Sequence, residues 1–314
     1  MGFFSKKGKE SGLLVYGFAT DGVCAARVTR MPAGKPVVDL ALFFSSVVSV
    51  SPALLEKLGK DLQAVQYRNA TLLGAREYQM LAVESPNVQA DELRAAVRWR
   101  LKDMLDFHID DATIDVLDIP VDKNATVRNN QMFAIAARNT IIEARQALFA
   151  RARINLSVID IPDTAQRNMS AMLEPEGRGV AMLSFNAEGG LLTVTFGGEL
   201  YLSRRVDPTL AQVLETDPDK RNQVYERITL ELQRSLDHFD RQFSYVNVSK
   251  LVLAPLPEST LLAYLSSNLY MPVDILDLAD VFDLSKVPDL ARPEQQHRHF
   301  LTLGAALRFE ETVL

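Results

Sequence analysis

The residues that could serve as nucleophile, general base or metal ligand are few in this chain, and their spacing suits none of those roles. A reactive thiol needs a base beside it and a lowered pKa. Cys24, the single cysteine of 314 residues, has only Val23, Ala25 and Ala26 around it, the setting of a small buried core residue. His297 and His299 would present two imidazoles to a metal, but they stand at i, i+2 in an Arg/Gln-rich stretch without the further ligands of a zinc site. They read as solvated loop histidines. Ser184, in Leu183-Ser184-Phe185, lacks the glycine elbow that strains and exposes a hydrolase nucleophile. No catalytic residue and no metal site is expected.

The scaffold is easier to read. Leu13 to Phe18 and Val23 to Thr29 form two strands around the turn signal Thr20-Asp21-Gly22, and Leu191 to Phe196 and Glu199 to Val206 flank Gly197-Gly198 as a hairpin with a two-residue loop. Val37 to Val50 is β-branched and aromatic. Ser51 then caps a helix that has Pro52 at its first position. Leu93, Ala96, Val97, Leu101, Met104 and Leu105 recur at helical spacing, as do Ile141, Ile142, Ala144, Leu148 and Phe149. Between these helices, Ala112 to Ile119 and Gln131 to Ala137 are strands joined through the turn region Asp122-Lys123-Asn124. Further strands are expected at 72–73, 78–83, 154–161, 179–185, 251–254 and 273–276, and further helices from Pro162 through Met172 and over 259–269. Val224, Ile228, Leu232, Leu236 and Phe239 mark a long helix from Pro218 to Phe243. Pro288 to His299 reads as a long polar loop before a last helix from Phe300 to Phe309. The order is a sheet-then-helix pattern used twice, with an insertion in the first copy, which predicts two α/β lobes.

Composition narrows the function classes. With 34 basic against 40 acidic side chains the net charge is −6, and no dense Lys/Arg stripe exists to neutralise phosphates, so nucleic acid is a poor partner. The longest apolar stretch, 37–50, carries Asp39 and three serines and is too short to cross a bilayer. The start lacks the apolar run of a secretion signal, and a solitary cysteine suits a reducing interior, so a cytoplasmic location is expected. Lys6, Lys7 and Lys9, with Phe3 and Phe4, make a basic leader that reads as a flexible terminus with at most marginal affinity for anionic lipid.

Five segments in order resemble the PilM-like type IV pilus assembly proteins: Gln89-Ala90-Asp91-Glu92-Leu93 through Leu101 and Asp106-Phe107; Phe133 to Arg138; Ile159-Asp160-Ile161-Pro162; Gly198-Glu199-Leu200 with Ser203-Arg204-Arg205; and Glu231 to Asp237. Together they span roughly three quarters of the chain, and the nearest branch serves mannose-sensitive haemagglutinin (MSHA) pili. The resemblance implies an actin-like ATPase fold with ribonuclease-H-like lobes. It divides the chain into a leader (1–12), a first lobe (13–75), an inserted strand-helix-strand-strand (SHS2-like) subdomain (76–153) and a crossover (154–178). A second lobe (179–299) and a C-terminal helix (300–314) returning to the first lobe complete it. It also implies a protein peripheral to the inner membrane that binds the cytoplasmic tail of a PilN-like membrane protein in a groove between first lobe and insert, and works with platform and motor proteins.

Actin-like ATPases hold ATP between the lobes with two phosphate hairpins and an adenosine loop. An aspartate there organises metal and water, and glycine admits backbone N–H groups to the phosphates. By resemblance, the first hairpin's Asp-x-Gly with following small hydroxylated residues corresponds to Tyr16-Gly17-Phe18-Ala19-Thr20, so tyrosine and phenylalanine replace the key residues, although Asp21 and Gly22 lie close by. The second hairpin corresponds to Ser184-Phe185-Asn186, and the Gly-Gly of the adenosine loop to Ala254-Pro255, where proline also deletes a donor. Three coincident losses predict an actin-like pseudo-ATPase scaffold without cofactor. The alternative is an ATP-binding switch that holds nucleotide through backbone contacts. For the partner, Arg98, Trp99 and Lys102 are the candidates. Trp99, the only tryptophan, falls off the apolar stripe and either packs against the insert's sheet edge, the commoner outcome, or anchors a partner, while the cations would steer an acidic tail.

Overall fold

The computed structural model describes residues 12–46, 50–89, 92–121 and 131–308. The basic leader, the Asp122-Lys123-Asn124 turn and the end of the C-terminal segment expected above lie outside those residues.

The chain opens with the hairpin β1 (Leu13–Ala19) and β2 (Gly22–Thr29), paired so that Val15 faces Ala26 and Gly17 faces Cys24, and β3 (Val37–Ser45) adds antiparallel to β2. Helix α1 (Pro52–Asp61) starts as expected, with the Leu54 N–H donating to Ser51 Oγ at 3.2 Å. Next come β4 (Arg68–Leu72), then β5 (Tyr78–Glu84), α2 (Leu93–Leu101), β6 (Ala112–Asp118), β7 (Gln131–Arg138) and α3 (Asn139–Arg151). After β8 (Leu156–Asp160) and α4 (Pro162–Ser170) the second half begins with β9 (Gly179–Asn186), β10 (Gly189–Phe196) and β11 (Glu199–Val206). The short α5 (Leu210–Val213) leads into α6 (Pro218–Gln242), where Asp217 accepts the N–H groups of Asp219 and Lys220, so the long helix is capped at its start. The chain ends with β12 (Val248–Leu253), α7 (Leu261–Asn268), β13 (Val273–Ile275), α8 (Leu278–Val281) and α9 (Pro293–Ala306).

The strands build two five-stranded sheets of one topology. The first has the order β3-β2-β1-β4-β8 and the second β11-β10-β9-β12-β13, each a three-stranded antiparallel meander extended by two parallel strands. Gly197 and Gly198, both at positive φ, make the tight turn of the second meander. Strand alternation gives each sheet two apolar faces. In the first, Leu14, Tyr16 and Val23 pack with Leu55 and Leu58 of α1 and Phe149 of α3, whereas Leu13, Val15, Ala26 and Val28 face Ala165, Met169, Phe300 and Leu303 of α4 and α9. In the second, Leu183, Leu192 and Val194 lie against Ile228, Leu232 and Phe239 of α6, and Val180 and Met182 join the α4/α9 core. Helices α4 and α9 are therefore a middle layer shared by both lobes. Each fully buried Leu, Met or Phe in it contributes about 1.5–3 kcal/mol. Gly304 permits the approach: a Cβ there would lie 2.3 Å from the Ala165 carbonyl oxygen.

Between β4 and β8 sits a third sheet, β5-β7-β6. One face packs Val83, Met132, Ala134 and Ala136 against Val97 and Leu101 of α2. From the other, Phe133 and the neighbouring Ile119 join the second lobe's core, and the Tyr245 hydroxyl donates to the Pro120 carbonyl at 3.1 Å. The insert thus touches both lobes.

The last helix differs from expectation. It begins at Pro293 rather than Phe300, and 293–299 is not a polar loop. Of its polar side chains, Gln296 and His299 are turned inward. Gln296 accepts the Leu278 N–H and donates to Asp277, each at 2.8 Å, while His297 and His299 are largely buried instead of solvated. Polarity at a helix start reads as a loop when its hydrogen-bond partners lie far away in sequence.

Candidate functional site

The interlobe space is where an actin-like protein would hold nucleotide, and each predicted position there can be located. Tyr16 is fully buried, its ring 5.5 Å from that of Phe149, and its hydroxyl has no partner among the described residues. Burial pushes its pKa up. Phe18 packs edge-on to the same Phe149 ring and carries the Arg145 guanidinium 4.7 Å over its face. Both side chains therefore point to the α1/α3 side of the sheet, away from the other lobe. At this strand end the middle layer is met by Gly17, where a Cβ would be 2.5 Å from Thr302 Cγ2 of α9. Thr20 is exposed in the hairpin turn. Asp21, the carboxylate an alternative register would use, accepts from Arg298 Nη1 of α9 at 2.8 Å, and the Arg298 guanidinium stacks 3.7 Å over Phe43. The protein's own cation occupies that carboxylate.

The second hairpin is equally committed. Ser184 Oγ donates to Gln166 Oε1 at 2.5 Å, and Gln166 Nε2 donates to Met182 O, Leu191 O and Thr193 Oγ1 at 2.9, 3.1 and 2.9 Å, so α4 is knitted to the second sheet through one buried amide. Asn186 Oδ1 accepts the Glu188 N–H at 2.8 Å, shaping the turn. Glu188 Oε2 then reaches across to the other lobe and accepts the Ala75 N–H at 2.7 Å. At the adenosine-loop position, Ala254 is core and its N–H donates to Leu183 O, while the Pro255 carbonyl lies 3.0 Å from His297 Nδ1. A carbonyl can only accept, so His297 carries its proton on Nδ1; burial lowers its pKa.

A buried polar knot ties insert, middle layer and second lobe together; the resemblance singles out Ser203 and Arg205 but not their partners Asp163 and Tyr78. Asp163, at the start of α4 and 1% exposed, accepts from the Tyr78 hydroxyl of β5, from Ser203 of β11 and, at 3.4 Å, from Arg205 Nη2. Arg205 also donates to the Tyr78 oxygen. Burial first, then the Asp163 charge, raises the Tyr78 pKa.

The space left between these groups is a cleft of about 140 Å³, lined by Arg76, Ser184, Asn186, Glu188, Arg205 and Asp207 among others. Drug-sized ligands occupy pockets of roughly 300–1,000 Å³. Among the described residues no group of three or more His, Cys, Asp or Glu side chains could hold a metal ion. The arrangement can pin the lobes together.

The partner candidates lie elsewhere, on α2. Trp99 does not pack on the sheet edge: it is 77% exposed, because Val97 and Leu101 fill the buried face of the helix and Trp99 projects from the other side. Lys102 Nζ sits 6.0 Å from its ring centroid and has no carboxylate partner among the described residues. Arg98 is engaged within the insert, donating to Asp110 at 3.0 Å and to the Ala112 carbonyl at 3.3 Å, and Arg100 pairs with Glu84. The structure thus places Lys102 beside the Trp99 ring, while Arg98 is paired within the insert. No helix among the described residues is long and apolar enough to cross a membrane.

No family model matches the chain, and no curated protein matches it in sequence. Solved structures do. The chain is similar to one from a PilM-PilN type IV pilus biogenesis complex, with TM-score 0.73 and 19% identity over 95% of this chain and 98% of that one. It is similar to a Bacteroides thetaiotaomicron protein described as having an actin-like ATPase fold, with TM-score 0.51 and 11% identity over 93% and 99%. It is also similar to the cytoplasmic domain of EpsL, an inner-membrane component of the type II secretion system of Vibrio cholerae, with TM-score 0.51 and 14% identity over 97% and 98%. These likenesses and the paired five-stranded sheets establish the two-lobed actin-like ATPase fold.

Proposed function

We propose that the chain is a non-catalytic, cytoplasmic scaffold of a type IV pilus assembly platform. In this reading it sits beneath the inner membrane and binds the cytoplasmic tail of a PilN-like membrane protein. Within that class it would serve an MSHA-type pilus, as an MshI-like protein. The observation that carries the reading is the end-to-end likeness to a chain of the PilM-PilN complex. The interlobe geometry supports the pseudo-ATPase part: Asp21 is spent on Arg298, Ser184 on Gln166 and Glu188 on Ala75, so the carboxylates and close backbone approaches that a magnesium triphosphate needs are otherwise employed. On α2, the exposed Trp99 with Lys102 over its ring supplies an aromatic anchor beside an uncommitted cation.

Calorimetric titration of the full chain with a synthetic PilN-like tail tests the scaffold reading. Saturable binding is expected, weakened at least tenfold by Trp99→Ala if α2 forms the contact, since an anchor residue is worth more than about 1.4 kcal/mol. No heat with folded protein refutes it. Thermal melts test the nucleotide part separately. A ligand at a hundred times its Kd stabilises the native state by about 2.7 kcal/mol, so an upward shift of that size with Mg-ATP restores the switch reading, and an unchanged melt removes it.

A further inference from the structure

In nucleotide-using proteins of this fold a phosphate is the anion that both lobes grasp. Here an anion belonging to the protein stands between the lobes. The loop joining β4 to β5 turns at Gly74-Ala75-Arg76-Glu77, where the Gly74 N–H is taken by Glu77 Oε2 at 2.7 Å and the Glu77 N–H by the Gly74 carbonyl at 3.0 Å. The Ala75 N–H is left pointing out of its own turn. Its partner is Glu188 Oε2, 113 residues further along the chain, at the tip of the β9–β10 hairpin. That tip is held in shape by the Asn186 side chain. The surrounding cleft suits an anion: Arg76 lines it and has no hydrogen-bond or ion-pair partner among the described residues, and Arg205 lines it from the second lobe. The other carboxylate there, Asp207, is paired with Arg227 at 2.6 Å, which leaves Glu188 as the one directed at the opposite lobe.

We propose that Glu188 is a built-in anionic ligand: its carboxylate latches the second hairpin to the first lobe's β4–β5 loop and keeps the lobes in one arrangement without nucleotide. The latch requires no pilus partner, so it stands or falls independently of the scaffold reading. It would also make the cleft self-occupied, since a competing anion must first displace a carboxylate tethered in place.

Amide hydrogen exchange at Ala75 in the full-length chain reads the latch directly. In wild type the amide is expected to be protected although it lies in a turn. In Glu188→Ala it should exchange about ten- to a hundredfold faster, the factor a charge-assisted hydrogen bond supplies, with circular dichroism and unfolding midpoint unchanged. Glu188→Gln, whose Oε1 can still accept, should retain most of the protection. Inorganic phosphate, against chloride at equal ionic strength, should slow exchange in Glu188→Ala and leave wild type unaffected. A wild-type Ala75 amide that exchanges at the free-peptide rate overturns the proposal, as does protection that survives in Glu188→Ala. Phosphate that slows exchange in neither protein, or equally in both, overturns the anionic role.

Discussion

Gly304→Ala sets two effects of opposite sign against each other in α9. Alanine is the better helix former by about 1 kcal/mol, so a helix judged by propensity alone should gain stability. The structure reverses the sign. The new Cβ would stand 2.3 Å from the Ala165 carbonyl oxygen and 3.1 Å from Met169 Cγ, so α4 and α9 must part by roughly 0.7 Å before even a tight 3.0 Å contact is reached. The obstacle is main chain, which no rotamer change can move aside. Ala165, Met169 and Leu303 are fully buried at this contact, and a gap of 0.5–1 Å forfeits a quarter to a half of each dispersion contact. Overpacking of this kind costs about 1–3 kcal/mol, and with the loosened contacts added and the propensity gain subtracted, a net loss of about 2 kcal/mol is expected. Gly59→Ala is the control. That glycine is also helical and buried, but its Cβ would meet the Cδ1 and Cγ1 atoms of the Ile154 side chain at 2.7 and 2.8 Å and no main chain, so its loss should be smaller than that of Gly304→Ala. Urea unfolding of both variants decides the matter. If Gly304→Ala loses no more stability than Gly59→Ala, the close α4–α9 packing described here is wrong.

Three further expectations follow from single side chains. His299 is buried, its Nδ1 lacks a partner among the described residues, and burial lowers its pKa from 6.5 to about 4; below pH 6.5 the unfolded chain takes up a proton that the folded chain refuses, so stability is intact above pH 6.5 and falls by about 3 kcal/mol towards pH 4. Urea midpoints between pH 4 and 7.5 should show that slope in wild type and a flatter one in His299→Gln, and equal slopes would contradict the assignment. Burial likewise pushes the Cys24 thiol up to about 12, so an aromatic disulfide reagent at pH 8 should react only as the protein unfolds, whereas labelling at the rate of a free thiol would place Cys24 at the surface. The single tryptophan should show water-exposed emission that acrylamide quenches readily, and Trp99→Ser should change stability by no more than about 0.5 kcal/mol; a blue-shifted, protected emission in the isolated chain would mean that Trp99 packs internally.

Much of the fold was legible in the residue order. Ser51 and Pro52 marked a capped helix start, Gly197-Gly198 marked a hairpin with a two-residue loop, and the 3.6-residue spacing from Val224 to Phe239 marked the long helix. The candidate site was legible only in part. Resemblance pointed to the interlobe positions, but strand alternation in the folded sheet turns Tyr16 and Phe18 to the outer side and leaves Gly17 on the inner one. Trp99 off the apolar stripe left two readings open, and only its exposure chose between them.

The sequence by itself determined which stretches alternate as strands or repeat as helices, which side chains share a face, and that a two-lobed α/β body with an insertion would result, although it hid the start of α9 at Pro293. Those properties repeat every 2 or 3.6 residues, so each is written within a short window of chain. Only the tertiary structure decided that Glu188 meets Ala75, that Asp163 meets Tyr78 and Arg205, and that His299 of α9 is inside. Such pairings join residues tens to hundreds of positions apart. A polar group carries no local sign of a distant partner, because its hydrogen bond is as well satisfied by water until packing removes the water and supplies that partner instead.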